Sequence, residues 1–104
     1  SENKLVDSYT LARIDENKIF DEGYCEIEHT IPFSRSLDDS QSNKTLVLSK
    51  TNQEKGNKTP YEFLNKDEFE KFEKYLREKK TYLSYTDARV RKLLTKDFKG
   101  IDGF

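Results

Sequence analysis

With 104 residues, 38% of them charged and 33% hydrophobic, the chain has room for one small domain with a lean core. One cysteine and one histidine exclude a disulfide framework and a four-ligand zinc site, and no stretch is apolar enough for a membrane helix or signal peptide, so the expected setting is the cytoplasm. A net charge of −1 argues against a freely acting nucleic-acid binder, yet residues 66–99 hold eleven basic and seven acidic side chains while residues 1–30 hold three and eight, so positive potential gathers locally.

Residues 1–23 show no clear period and read as an irregular leading segment, with Gly23 closing a turn after Phe20. From Tyr24 the pattern alternates: Tyr24, Glu26 and Glu28 against Cys25, Ile27 and His29, a strand that Pro32 stops. Phe33 to Ser42 reads as a polar loop with the paired acids Asp38 and Asp39. Asn43 to Leu48 reads as a second strand, giving a hairpin-like pair. Ser49 is the expected N-cap of a short helix that Gly56 closes. Thr59, Pro60 and Glu62 spell a capping box with proline at the first helical position. Asn65 to Lys80 is the clearest helix, with Phe69, Phe72 and Leu76 on one face, Tyr75 beside them, and all of these expected in the core. Ser84 and Asp87 are read as opening a last helix with Val90, Leu93 and Leu94 as its apolar stripe, and Gly100 and Gly103 as marking a frayed exit. The fold class is α+β: a two-stranded antiparallel hairpin packed on a short helix, with additional C-terminal helices.

The chemistry concentrates around Glu28-His29. Asn43 follows His29 by 14 residues, at the start of the second strand, and Asn52 follows Asn43 by 9, inside the short helix. A hairpin packed on that helix draws Glu28, His29 and Asn52 towards one spot. A carboxylate oxygen and an amide oxygen are hard ligands suited to Mg²⁺, which keeps several waters and takes phosphate oxygens. An imidazole beside them can accept a proton from water near neutral pH. Together these groups are the minimum for phosphodiester hydrolysis.

The spacing of Glu28-His29, Asn43 and Asn52 resembles the HNH, or ββα-metal, nuclease motif. The longer string EIEHTIPFSRSLDDSQSNKTLVLSKTNQEKGNKTPYEFL, residues 26–64, resembles the HNH domain of the type II CRISPR effector, an RNA-guided DNA endonuclease. Its IPFSRS, DDS, NK, NQEKGN and TPYE pieces are most like those of the compact type II-C members. The tail KLLTKDFKGIDGF resembles the segment leading into a RuvC-like domain. The resemblance implies one HNH domain over 1–104, with a ββα-metal core at 24–57, accessory helices at 59–95 and a linker at 96–104. It implies His29 as general base, Glu28 and Asn52 as ligands of Mg²⁺ (Mn²⁺ substituting), and Asn43 as the residue that orients the loop behind the histidine. The implied partners are the target DNA strand paired to guide RNA, the rest of a bacterial effector, and a phage-encoded inhibitor protein. Lys44, Lys55, Lys58 and Arg35 flank the site as candidate phosphate contacts. Two features depart from the family: Glu28 stands where many members have Asp, and Gly56 where some HNH enzymes place a further histidine. Weak metal binding without DNA is the expectation. The competing readings are a freestanding HNH nuclease of homing or toxin type, and a non-catalytic nucleic-acid-binding module.

Overall fold

The computed structural model describes residues 5–81 and 83–99. Strands β1, Cys25–His29, and β2, Lys44–Leu48, pair antiparallel with Cys25 opposite Leu48 and His29 opposite Lys44. Five α-helices accompany them among the described residues: α1 Phe33–Ser36, α2 Ser49–Lys55, α3 Pro60–Phe63, α4 Lys66–Lys79 and α5 Asp87–Leu93. Gly100 and Gly103 lie outside the described residues. None of these helices is long and apolar enough to cross a membrane.

Directly opposed residues share a face of a sheet. The register therefore puts Glu26, Glu28, Thr45 and Val47 on one face, and Ile27, His29, Lys44 and Leu46 on the other. Burial runs against hydropathy here: Glu28 is buried while Ile27 is 62% exposed. Val47 joins Tyr9, Leu64, Phe69, Phe72, Leu76 and Leu93 in one core. The three α4 residues come from its single apolar stripe, and each contributes about 1.5–3 kcal/mol by burial.

Several local expectations need correction. Ser49 is the first residue of α2, and Leu48 holds the N-cap position, because the Ser49 N–H is spent on the Tyr24 carbonyl at 3.0 Å. Thr86, not Ser84, caps α5: its hydroxyl accepts from Arg89 N–H at 3.1 Å, while Ser84 sits at φ 56° in the preceding turn. The stretch read as loop contains α1, which Pro32 opens and Leu37 closes with its N–H on the Phe33 carbonyl at 2.8 Å. The capping box at Thr59 and Glu62 forms as the sequence predicts, and Asn65 with Glu68 makes a second one for α4.

The leading segment is irregular but not peripheral. Asp7, Tyr9 and Ile14 are fully buried. One oxygen of Asp7 accepts from Tyr9 N–H at 2.9 Å and Thr10 N–H at 3.0 Å, and the other from Leu48 N–H at 2.9 Å. This carboxylate ties the segment to the end of β2 and sets the Tyr9 side chain over the sheet.

Candidate active site

Glu28 faces inward from β1, where the Tyr9 hydroxyl donates to its Oε1. Lys55, at the C-terminal end of α2, brings its Nζ to 3.1 Å from the same oxygen and 3.3 Å from Oε2. Lys55 also donates to the His29 carbonyl at 3.2 Å and lies 5.3 Å from the centre of the Tyr9 ring. Burial raises the Glu28 pKa and lowers that of Lys55, and the attraction between them offsets part of each shift. Burial, followed by the Glu28 charge, pushes the Tyr9 phenol well above its ordinary value.

His29 points to the other face of the hairpin. Its Nε2 lies 2.8 Å from Asp39 Oδ1, and Phe33 packs beside the ring at a centroid distance of 5.3 Å. Lys44, opposite His29 on β2, places its Nζ 3.1 Å from the same Asp39 oxygen. The hydrogen bond with His29, followed by that with Lys44, holds the Asp39 carboxyl below its ordinary pKa.

Asn43 is fully buried just ahead of β2. Its Oδ1 accepts from Ile31 N–H at 2.9 Å, and its Nδ2 donates to the carbonyls of Ile31 at 3.0 Å and Asp38 at 2.9 Å. Its own carbonyl accepts from Thr30 N–H at 2.8 Å. One side chain thus fastens the backbone leaving His29 to the loop that carries Asp39. Asn43→Asp keeps the acceptor but turns an oxygen towards two carbonyls. A loss of about 2–4 kcal/mol is expected in urea unfolding, whereas a surface Asn-to-Asp change would be near neutral.

Helix α5 fixes the same loop from outside. Lys92 reaches Asp38 at 2.8 Å and Ser42 at 2.6 Å, and the Lys92 and Ser40 hydrogen bonds draw the Asp38 pKa down to about 2. Arg89 donates to the carbonyls of Lys44 at 2.7 Å and Gln41 at 2.8 Å.

Asn52 sits on the turn of α2 that faces β1, and its Nδ2 donates to a Glu26 carboxylate oxygen. No described residue is bonded to its Oδ1. Glu28, His29 and Asn52 line one open cleft of about 340 Å³ together with Phe33, Ser34 and Asn57. A carboxylate and an amide oxygen are the kinds of donor that a small hard cation takes; here Glu28 would offer a carboxylate already engaged by Tyr9 and Lys55, and Asn52 an amide whose nitrogen is occupied by Glu26. Among the described residues no group of three or more His, Cys, Asp or Glu side chains gathers around a common point, so the protein's share of such a shell is small.

Two candidate phosphate contacts need correction. Lys55 is fully buried against Glu28 and Tyr9, because an inward-facing carboxylate requires a counter-charge. Arg35 is half-buried and already engaged: it meets Glu62 at 2.6 Å and donates to the Asn57 carbonyl at 3.1 Å, stapling α1 to the start of α3. Lys44 is half-buried and paired with Asp39, whereas Lys58 is exposed one residue beyond the cleft. Tyr9, Glu26 and Asp39 escaped the sequence reading. Glu26 entered it only as a strand residue and Asp39 only as part of the Asp38-Asp39 pair.

The family profile described as HNH endonuclease matches residues 7–61. It begins at the buried Asp7, so the leading segment is part of the family's unit. The chain is 46% identical over 66 residues to the CRISPR-associated endonuclease Cas9 of Campylobacter jejuni, covering 64% of this chain and 7% of that protein. It is 42% identical over 60 residues to the CRISPR-associated endonuclease Cas9 1 of Streptococcus thermophilus, covering 54% of this chain and 5% of that protein. The chain therefore spans less than a tenth of the length of these relatives. A crystal structure of Streptococcus thermophilus Cas9 in complex with the AGAA PAM superposes with a TM-score of 0.80 at 32% identity, over 93% of this chain and 10% of that one. With this hairpin and helix, and with a profile match across more than half its length, the chain belongs to the HNH endonuclease family and has the fold of the HNH domain of Cas9.

Proposed function

We propose that this domain cuts the DNA strand paired to guide RNA within a type II CRISPR effector, using His29 as general base and one Mg²⁺ held by Glu28 and Asn52. The observation that carries this reading is the shared cleft: Glu28 and His29 of β1 and Asn52 of α2 all line one open surface, with the Glu28 carboxylate held on its inner side by Tyr9 and Lys55. In the reaction a water attacks the phosphorus and gives its proton to the His29 ring, while the ester P–O bond opposite the attack breaks. When bound, Mg²⁺ (or Mn²⁺) supplies positive charge to the phosphate and the leaving oxygen. Tyr9 and Lys55 fix the Glu28 carboxylate, and Glu26 fixes the Asn52 amide. Lys55 shares the charge of Glu28, so Glu28 and Asn52 alone would hold a divalent ion weakly.

Lys58, exposed and next to the cleft, is the candidate cation that remains suited to the DNA backbone. Near-neutral net charge fits a domain that is brought to a strand already held by the rest of the effector, including its RuvC-like domain, in the bacterial cytoplasm. A phage inhibitor that covers this cleft would silence it. The test is single-turnover cutting of the guide-paired strand by the full-length effector, with Mg²⁺ and with a chelator. His29→Ala and chelation should each slow cutting at least a hundredfold. Unchanged cutting by His29→Ala would remove the base assignment, and unchanged cutting in chelator would remove the metal.

A further inference from the structure

We propose that Asp39 is the positioning residue for His29: its carboxylate holds the Nε2 edge of the ring and leaves Nδ1 as the nitrogen that takes the proton from water. This rests on the reading of His29 as the base. An exposed ion pair taken alone is worth little, so the hold of the loop on Asp39 is what counts. Asp39 is 65% exposed at its side chain, but its backbone is anchored on both sides. Asp38 before it and Ser40 after it both bind Lys92 of α5, at 2.8 and 3.1 Å. Asn43 holds the Asp38 carbonyl and Ile31, two residues beyond the histidine, in one clamp. The carboxylate is therefore delivered to a fixed place, and Lys44 seats it from the neighbouring strand.

The ring is equally confined, with Phe33 against it and Asp39 at Nε2. A carboxylate only accepts hydrogen bonds, so a neutral imidazole held there carries its proton on Nε2. The lone pair then resides on Nδ1. The same logic makes a carboxylate the orienting partner of catalytic and metal-binding histidines elsewhere: it selects the tautomer and stabilises the protonated ring once the proton has arrived.

Because His29 is the chain's single histidine, its ring nitrogens can be read without overlap. At pH 8, long-range ¹H–¹⁵N spectra of the wild-type chain should place both nitrogens at the limits of the Nε2–H tautomer. In Asp39→Ala they should move towards the mixture found for free imidazole. In Asp39→Asn, whose amide oxygen can still accept, they should stay near wild type. A wild-type ring protonated on Nδ1, or shifts that Asp39→Ala leaves in place, would overturn the proposal.

In the full-length effector, Asp39→Ala should lower the single-turnover rate about tenfold with DNA affinity unchanged, and Asp39→Asn should recover part of it. Cutting by Asp39→Ala at or above the wild-type rate would also overturn it. Failure of the base assignment is told apart by His29→Ala: cutting that survives that variant removes the base itself, whereas cutting lost in His29→Ala but intact in Asp39→Ala removes only the positioning role.

Discussion

Lys55→Met should destabilise the domain by about 3–5 kcal/mol at pH 7, because it leaves the Glu28 carboxylate buried with the Tyr9 hydroxyl as its remaining partner. The methionine roughly fills the space, so most of the loss is electrostatic. That gives it a pH signature. Burial already sets the folded-state pKa of Glu28 above its ordinary value of 4.5, and removing Lys55 takes away the largest opposing influence. A carboxyl whose folded pKa is raised contributes stability that is complete below the unfolded value and lost as pH rises through the folded one. The variant should therefore recover stability as pH falls from 8 towards 5. Glu28→Gln combined with Lys55→Met should restore most of the loss at pH 8, since a neutral amide can stay buried beside Tyr9. Urea unfolding of both variants at pH 5 and pH 8 decides it. An equal loss at both pH values that persists in the double variant would assign the effect to packing.

Asp7→Ala should cost a similar amount, about 3–5 kcal/mol, a large share of what a domain of this size possesses. Its carboxylate is the acceptor for three backbone N–H groups, those of Tyr9, Thr10 and Leu48. Hydrogen bonds to a charged group are worth about 1.5–3 kcal/mol each, and buried donors left alone add their own penalty. Asp7→Asn keeps one accepting oxygen and should lose roughly half as much. The contacts also predict where the damage spreads. Tyr9 is placed by the turn that Asp7 holds, so amide exchange should quicken at Tyr9, Thr10 and Leu48 before it quickens in α4. Uniform exchange across the domain would show that Asp7 acts only through global stability.

The period-two run from Cys25 to His29 and the stripe Phe69, Phe72, Leu76 were legible because each repeats within a few residues. Thr59 and Glu62 were legible because a capping box is written within four positions. What escaped was set by contacts far apart in the chain. Asp7 meets Leu48 across 41 residues, and Tyr9 meets Glu28 across 19. Lys55 was expected outside because lysines almost always are, and only an inward-facing Glu28 makes its burial stable. For the candidate site, the spacing drew Glu28, His29 and Asn52 to one cleft, but it did not reveal that β1 turns Glu28 and His29 to opposite faces. Nor did it reveal that the acid beside the histidine comes from a loop ten residues on.

The hold of α5 on residues 38–44 has a consequence for the order in which the protein is made. The hairpin, α2 and every group lining the cleft leave the ribosome before Arg89 and Lys92 do. Their bonds to Gln41 and Ser40 reach back 48 and 52 residues. A growing chain that ends before residue 89 contains every group that lines the cleft, together with the Asn43 and Lys44 contacts, but lacks the fastenings that α5 adds at Asp38, Ser40, Gln41 and Ser42. The loop that carries Asp39 is therefore fully fastened only when α5 has been synthesised.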